Sequence, residues 1–253
     1  MAASPRKKKL IETGIPLTSI SKESVREKSL RHGLPNTLHL YWSRKPLATS
    51  RSILFAQLVD DPFSHPDKFP TPEAQTAEFK RLQNLMERLA VWENRNDKEL
   101  YQQAFQAILD SNDGIAPRVL DPFAGGGSIP LEAQRLGLES HASDLNPLAV
   151  IINKALIEFP SRFCGNTAIH PHNGTLSSSH NRADGIAEDI RYYGQILRDR
   201  AFEKIGHLYP TVRDENGEEH TVIAWKWART VTNPNPANPI QVPLVNSWWL
   251  SKK

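Results

Sequence analysis

Two aspartates and a run of glycines carry the most specific chemical pattern in the sequence. Asp121 directly precedes a turn that contains Gly125–Gly127, and Asp144 follows the next short extended run. Consecutive glycines let the backbone turn sharply and let a ligand approach the main chain where any Cβ atom would collide. A carboxylate at the end of a second strand can accept hydrogen bonds from ribose hydroxyls. The pattern therefore predicts a site for a nucleotide-like ligand.

The chemistry of the turn restricts the charge of that ligand. The glycines do not follow the G-x-G-x-x-G pattern, and the turn contains no lysine that would bind a phosphate. The carboxylate of Asp121, directly before the turn, would repel a pyrophosphate. It suits a ligand with a cationic or amino group instead, and S-adenosylmethionine is such a ligand.

The elements that must position these residues form the first half of a nucleotide-binding unit. Residues 119–120 predict a strand, residues 129–136 a helix, and residues 139–142 a second strand. Gly137 is suited to end the helix because glycine readily takes a positive φ. We predict an α/β fold with a partial Rossmann-like sheet, preceded by a helical and basic N-terminal region and followed by a C-terminal β-hairpin.

The run Asp121–Ser128 resembles the D-P-F-x-G-x-G-[ST] signature of DNA methyltransferases that modify the amino group of adenine N6 or cytosine N4. Asn146 and Pro147 resemble the D-x-N-P sequence that follows the second strand in many of these enzymes. The resemblance implies S-adenosyl-L-methionine as the cofactor, bound by Asp121, Pro122, Phe123, Ala124, Gly125, Gly127, Asp144 and Asn146. The alternative is an ordinary glycine turn in another α/β domain.

Positive charge is concentrated in the N-terminal part of the chain. The net charge is only +3, yet residues 1–51 contain eleven Lys and Arg residues against three acidic ones. A basic arm on a mildly acidic body indicates a polyanionic partner, and nucleic acid is the usual one. For the cluster Arg6–Lys9 alone, the alternative is a solvated tail that keeps the protein soluble.

Aromatic and basic residues alternate within residues 39–45. Aromatic rings beside phosphate-binding cations provide the two contacts that an unstacked nucleotide needs. The candidates for contact with DNA or cofactor are His39, Trp42, Arg44 and Lys45. Alternatively, Leu38, Leu40 and Trp42 form the buried face of a strand and the basic residues point outward. Both interpretations are open from the sequence.

Further blocks extend the resemblance over most of the chain. Residues 26–33 and 37–47 resemble the N-terminal domain of the prokaryotic adenine-specific DNA methylases that contain a zinc ribbon, and residues 225–253 resemble their ribbon. The ribbon's C-P-N-P-x-C-G knuckle corresponds to residues 232–239, which contain no cysteine, so we expect no structural zinc there. The histidines at 170, 172 and 180 also lack a supporting ligand pattern.

The chain divides into four predicted parts. These are a basic N-terminal domain at 1–60, a helical segment at 61–116, the cofactor-binding βαβ unit at 117–160, and a long helix with a degenerate ribbon-like hairpin at 161–253. Periodic apolar residues and caps predict helices at 48–60, from Thr71–Pro72, from about Asp97, at 147–160 and at 184–209. Extended runs are predicted at 221–227, after the Asn-Gly turn at 214–217, and at 242–250, after the stretch rich in Asn and Pro at 233–239.

Amino methylation also requires a motif that the sequence does not contain. The motif [DNS]-P-P-[YFW] orients the target amine and stacks on the flipped base, and the chain has no Pro-Pro pair. We therefore assign no catalytic residue. The resemblance implies the front, cofactor-binding part of a methyltransferase that favours adenine N6, either truncated or completed by a separate polypeptide. The alternative is a non-catalytic DNA-binding or regulatory remnant.

Composition excludes other protein classes. The single Cys164 permits no internal disulfide and fits a reducing cytoplasm. No run approaches the roughly 20 apolar residues that a membrane-spanning helix needs. The N-terminus lacks the apolar core of a secretory signal, so we expect a cytoplasmic protein without membrane contact. An incomplete sheet would leave apolar edges exposed, and we expect poor stability without a partner.

Overall fold

The computed structural model describes residues 7–30, 33–34, 37–171, 182–222 and 225–248. These residues form two compact units, one within residues 1–168 and 174–186 and the other within residues 169–173 and 187–253. Predictions that involve Arg6, Arg31, His172, His180 or residues 249–253 concern positions outside the described residues. The subdivision of the first unit into three domains stays a prediction.

Five helices surround the core of the first unit. They are α1 (Leu10–Thr13), α2 (Leu17–Arg26), α3 (Leu47–Leu58), α4 (Pro72–Ala90) and α5 (Lys98–Asp110). Their apolar faces meet in one cluster that includes the fully buried Leu10, Phe55, Met86, Leu89, Leu100 and Ile108. Removal of these side chains from water drives the packing of the helices against each other.

Side-chain caps begin two of these helices, and the one at Thr71 confirms its prediction. The Thr71 hydroxyl accepts a hydrogen bond from the Ala74 amide at 3.2 Å at the start of α4. The Asp97 carboxylate accepts one from the Leu100 amide at 3.0 Å at the start of α5. Both side chains satisfy amides that have no partner within the helix.

A small parallel sheet follows the helices. Strand β1 (Val119–Asp121) pairs with β2 (Ser140–Ala142), and α6 (Ser128–Arg135) connects them. Gly137 ends this connection with φ of +82°, as predicted from its position after the helix. The described residues thus form the strand, helix and strand that the sequence predicts, in a sheet of two strands. The side chain of Leu120 on β1 is exposed.

The segment after β2 differs from its prediction at one end. Helix α7 (Pro147–Asn153) starts where expected, and the Asn146 side chain accepts a hydrogen bond from the Leu148 amide at 3.0 Å. The helical path then continues through a π-helical turn, Lys154–Glu158, into α8 (Phe159–Arg162). The prediction that Pro160 ends the helix is wrong. Pro160 lies in the first turn of α8, where the missing N–H of proline is tolerated.

A long helix and two hairpins make up most of the remaining chain. Helix α9 covers Asp184–Ile205, close to its predicted range. Strands β3 (Val212–Arg213) and β4 (Glu219–His220) pair around the predicted Asn-Gly turn, and β5 (Thr230–Thr232) pairs with β6 (Gln241–Pro243).

The prediction of a strand at residues 221–227 is wrong for the positions that the structure describes. Residues 221–222 and 225–227 belong to no strand. The turn itself explains the shift. The Asp214 carboxylate accepts hydrogen bonds from the Asn216 and Glu218 amides, which closes the hairpin early and uses Glu219–His220 as its second strand. None of the described helices combines the length and apolar surface that a membrane-spanning helix requires.

Candidate functional site

Asp144 holds the glycine turn in place. Its Oδ2 accepts a hydrogen bond from the Gly125 amide at 2.8 Å, and its Oδ1 accepts one from the Asn146 amide at 2.9 Å. These backbone amides, Asn146 first and then Gly125, hold the pKa of the Asp144 carboxyl below its ordinary value because they bind the ionised form. A carboxylate accepts about four hydrogen bonds in all, so acceptor positions remain for ribose hydroxyls.

Asp121 stands at the corresponding end of the neighbouring strand. Its Oδ1 accepts a hydrogen bond from the Phe123 amide at 3.1 Å, which shapes the start of the turn. The Phe123 side chain is 85% exposed. Because carboxyl ends of parallel strands lie at one edge of a sheet, Asp121 and Asp144 face the same region above the turn.

Two glycines of the turn adopt backbone conformations that disfavour other residues. Gly125 has φ of +50° and Gly127 has φ of +77°, both in the left-handed region. A Cβ atom on Gly127 would also lie 2.9 Å from Oδ1 of Asn153. The predicted need for glycine at these positions therefore has two causes, the backbone angle and the close neighbours.

Asn153 is a residue of the site that the sequence analysis missed. From the last turn of α7, its Nδ2 donates to the Gly125 carbonyl at 3.0 Å and to the Ala149 carbonyl at 2.8 Å, and the side chain is buried. Gly125 is thus held through its amide by Asp144 and through its carbonyl by Asn153. The available signal was a polar residue on the same helix face as Ala149.

Tyr41 joins the N-terminal segment to the glycine turn. A Cβ atom on Gly125 would lie 3.0 Å from Cε1 of Tyr41, and one on Gly126 would lie 3.3 Å from its Cβ. The Ser128 hydroxyl donates to the Lys45 carbonyl at 2.9 Å, which fixes the same segment at the start of α6. Two stretches about eighty positions apart therefore form one site.

A first cavity of about 240 Å³ lies between these two stretches. The glycine turn and strand ends contribute Asp121, Phe123, Ala124, Gly125, Gly126 and Asp144 to its walls. The N-terminal segment contributes Tyr41, Ser43 and Lys45. Lys45 Nζ donates to the Ser43 hydroxyl at 3.2 Å, and Lys45 lines the same cavity as the two aspartates.

The other predicted cofactor residues act on the turn from outside the cavity wall. Pro122 is exposed, and its carbonyl accepts a hydrogen bond from the Ser143 hydroxyl at 3.3 Å. Gly127 begins α6, and Asn146 begins α7 as its cap. These three residues set the path of the chain on either side of the cavity.

A second cavity of about 400 Å³ adjoins the first and shares Tyr41, Lys45, Gly126 and Ser128 with it. All four nucleic-acid candidates, His39, Trp42, Arg44 and Lys45, line this second cavity. The alternative interpretation as a strand is wrong. Residues 38–42 form no strand, and Leu38, Leu40 and Trp42 are all more than half exposed.

The first cavity fits the groups that S-adenosylmethionine would present. Its two carboxylates complement a positively charged amino acid end and a pair of ribose hydroxyls, and the Lys45 ammonium complements a carboxylate. The glycine turn leaves main-chain atoms open to close approach. The cavity has no lysine or arginine on the turn itself, which agrees with a ligand that lacks phosphate.

One cluster among the described residues has the composition of a metal site. Asp214, Glu218 and His220 bring one potential ligand atom each within 4.8 Å of the others at the first hairpin. The cluster is largely exposed, and Asp214 is already used by the hairpin amides and by Nε2 of His220 at 3.0 Å. Nδ1 of His170 pairs with Oδ1 of Asp189 at 2.8 Å.

Comparisons with known proteins match two parts of the chain. Residues 14–85 match a family described as a protein of unknown function (DUF1156). Residues 97–192 match the family described as D12 class N6 adenine-specific DNA methyltransferase. Searches of curated proteins and of solved structures gave no match. The first match contains Tyr41 and Lys45, the second contains the glycine turn and Asp144, and the first cavity is built from both.

Proposed function

We propose that the chain binds S-adenosylmethionine in the first cavity and serves the methylation of DNA, with adenine N6 as the favoured target. The observation that carries this proposal is the joint placement of Asp121, Asp144 and the glycine turn around one cavity, beside Lys45. The match of residues 97–192 to adenine-specific DNA methyltransferases supports the same activity.

The residues of the cavity have distinct roles in this proposal. Asp144, ionised and held by two amides, accepts hydrogen bonds from the ribose hydroxyls. Asp121 faces the amino group of the methionine end, and Lys45 faces its carboxylate. Phe123 and the glycine turn line the side of the ligand. When bound, the cofactor supplies a methyl group on a positively charged sulfur.

The chain holds the cofactor but lacks the groups that orient a target amine. Methyl transfer from a sulfonium depends mainly on proximity and alignment, and the sequence has no Pro-Pro-aromatic motif to provide them. We propose that this motif comes from outside residues 1–253, either from a continuation of the chain or from a separate polypeptide. The exposed apolar side chains of Leu120 on β1 and Ile115 just before it support an additional partner at this end of the sheet.

Calorimetric titration of the full chain with S-adenosylmethionine tests the proposal. We expect saturable binding that Asp144→Ala abolishes, whereas Asp67→Ala, at an exposed position outside the cavity, leaves it unchanged. Absence of binding to the wild-type chain would refute the cofactor site. DNA methylation by residues 1–253 alone, abolished by Asp144→Ala, would refute the need for a motif from outside these residues.

A non-catalytic role in DNA binding is the second candidate function. The observation that favours it is the group of basic and aromatic side chains around the second cavity, together with the missing amine-orienting motif. This function needs no cofactor. It therefore predicts DNA binding by the full chain with no heat of binding from S-adenosylmethionine, the opposite of the first proposal in the same titration.

A further inference from the structure

The second cavity has walls from two separate parts of the first unit. Ser24, Glu27 and Lys28 contribute one wall, at the end of α2 and in the 3-10 turn Glu27–Ser29 that follows it. His39, Trp42 and Arg44 contribute another wall, from the segment that leads into α3. The volume of about 400 Å³ is within the usual range for a bound small molecule or a single nucleotide.

Two cations of this cavity lack an ion-pair partner among the residues that the structure describes. Neither Lys28 nor Arg44 forms an ion pair with any residue in the described ranges, and both are exposed. Glu27, an acid that lines this cavity, is buried, and no ion pair joins it to Lys28 or Arg44. Its two carboxylate oxygens accept hydrogen bonds from the Leu47 and Ala48 amides at 2.8 and 2.7 Å. Unneutralised cations on both walls favour an anionic ligand.

Aromatic surface lies beside these cations. The Trp42 side chain is 89% exposed at the cavity, so its indole face is open to stacking. Tyr41 forms the wall that separates the second cavity from the first, with its ring against Gly125 and Gly126. Leu34 and Leu47 give the cavity a buried apolar floor. The apolar floor and the exposed indole suit a nucleotide base. The cations suit its phosphate.

We propose that the second cavity binds one unstacked nucleotide of a DNA strand, with the base against Trp42 and the flanking phosphates on Lys28 and Arg44. The assignment to DNA rests on the proposed function, whose cofactor cavity shares a wall with this one. Lys28 and Arg44 come from separate segments of the lining, so each is assigned one of the two phosphates that flank the nucleotide. Lys28 and Tyr41 are new members of this site, beyond His39, Trp42, Arg44 and Lys45.

Fluorescence of 2-aminopurine in a short single-stranded DNA tests the base contact in the full chain. Stacking quenches this base, so we expect quenching on binding and an affinity for single strands above that for a perfect duplex. Trp42→Ala should weaken binding at least about fivefold, the lower range for loss of one base-aromatic stack. Trp227→Ala is the matched control, because Trp227 is 92% exposed and lies outside the cavity.

Salt dependence tests the phosphate contacts. Lys28→Gln and Arg44→Gln should each lower the slope of log affinity against log salt by roughly 0.7, the value for one phosphate of a single strand, whereas Lys22→Gln on the same helix as Ser24 should not. Unchanged binding in Trp42→Ala, or equal binding of free deoxyadenylate and of the oligonucleotide, would overturn the proposal. So would a preference for an RNA strand of the same sequence.

A separate measurement distinguishes this proposal from the proposed function. S-adenosylmethionine titration of Trp42→Ala should match that of the wild-type chain, because Trp42 does not line the first cavity. If the cofactor binds but the 2-aminopurine fluorescence of the DNA strand is not quenched, the nucleotide cavity is refuted and the cofactor site stands. If DNA binds through Trp42 and the cofactor does not bind, the proposed function fails and the nucleotide cavity stands.

Discussion

Arg51 and Glu132 form an ion pair that is closed to solvent on all sides. Nε of Arg51 donates to Oε2 of Glu132 at 2.5 Å, and neither side chain is more than 1% exposed. Burial disfavours the charge of the guanidinium, but Glu132 keeps the pKa of Arg51 above its ordinary value. Arg51 lies on α3, directly after the segment that contains Tyr41, and Glu132 lies on α6, directly after the glycine turn. The pair therefore aligns the two halves of the first cavity.

Glu132→Gln should lower the free energy of unfolding by about 3 kcal/mol or more, because Arg51 would remain charged and buried without the carboxylate that pairs with it. Urea denaturation followed by circular dichroism measures this change. Glu158→Gln, which breaks only exposed pairs with Lys154 and Arg162, should cost less than about 1 kcal/mol. A double change to apolar residues, Arg51→Met with Glu132→Leu, should recover most of the loss. Equal effects of the two single variants would contradict the prediction.

Gly127→Ala should weaken S-adenosylmethionine binding about tenfold or more. An alanine at φ of +77° costs about 1–2 kcal/mol, and its Cβ would displace Asn153 from the Gly125 carbonyl. Gly194→Ala is the control, since a Cβ there meets no atom within 4 Å on helix α9. This control should stabilise the helix by about 0.5–1 kcal/mol and leave cofactor binding unchanged. Titration calorimetry of both variants measures cofactor binding, which should weaken only in Gly127→Ala. Thermal unfolding measures stability, which should rise in Gly194→Ala.

Tyr41→Ala should weaken cofactor binding by about tenfold, or ~1.4 kcal/mol, because it removes a wall of the first cavity. Tyr41→Phe keeps the ring that contacts Gly125 and Gly126 and should bind like the wild-type chain. Titration calorimetry compares the three proteins. A loss in Tyr41→Phe equal to that in Tyr41→Ala would show that the hydroxyl, rather than the ring, makes the contact.

Because of Glu27, the free energy of unfolding should fall as the pH rises above 4.5. Burial raises the pKa of Glu27 above its ordinary value of 4.5, although the Leu47 and Ala48 amides lower it in part. Between 4.5 and the raised pKa, the folded chain keeps a proton that the unfolded chain has released. The fold is thus stabilised below 4.5, and this contribution is lost through that window.

Glu27→Gln removes the titrating group and leaves one amide at the start of α3 facing an NH₂ group. Glu27→Gln should lower the free energy of unfolding by about 1–2 kcal/mol at neutral pH, as the loss of a helix cap does. The difference from the wild-type chain should be larger at pH 4 than at pH 7. Urea denaturation at both pH values measures it, with the exposed Glu99→Gln as a control that changes neither value. A difference that grows with pH would contradict the assigned sign.

The parts of the site that are local in sequence could be predicted, and those that depend on packing could not. The glycine turn, Asp121 and Asp144 lie within one strand-helix-strand unit, so their spacing alone places them at one edge of the sheet. The caps Thr71 and Asp97 were equally predictable, because capping depends on residues three positions apart. Tyr41 contacts the turn across more than eighty positions, and no local pattern encodes that contact.

The roles of Asn153 and Pro160 also depend on their structural surroundings and could not be predicted from local sequence. Asn153 lies in a helix whose apolar residues fit a simple buried face, and its role appears only when α7 packs on the glycine turn. Pro160 is a good helix terminator in isolation. The preceding π-helical turn changes which carbonyl its position would face, and the helix continues.

The hydrogen bond from Ser128 to the Lys45 carbonyl restricts how the two parts of the gene can recombine. It ties a residue in the part similar to the methyltransferase family to one in the part similar to the DUF1156 family, and Tyr41 adds a second tie. Recombination between the two parts would divide the first cavity and leave each descendant with an incomplete wall. The two segments should therefore be exchanged between genes as one block, and a hybrid of unrelated halves should regain the cavity only when its residue 41 again fits against the glycines.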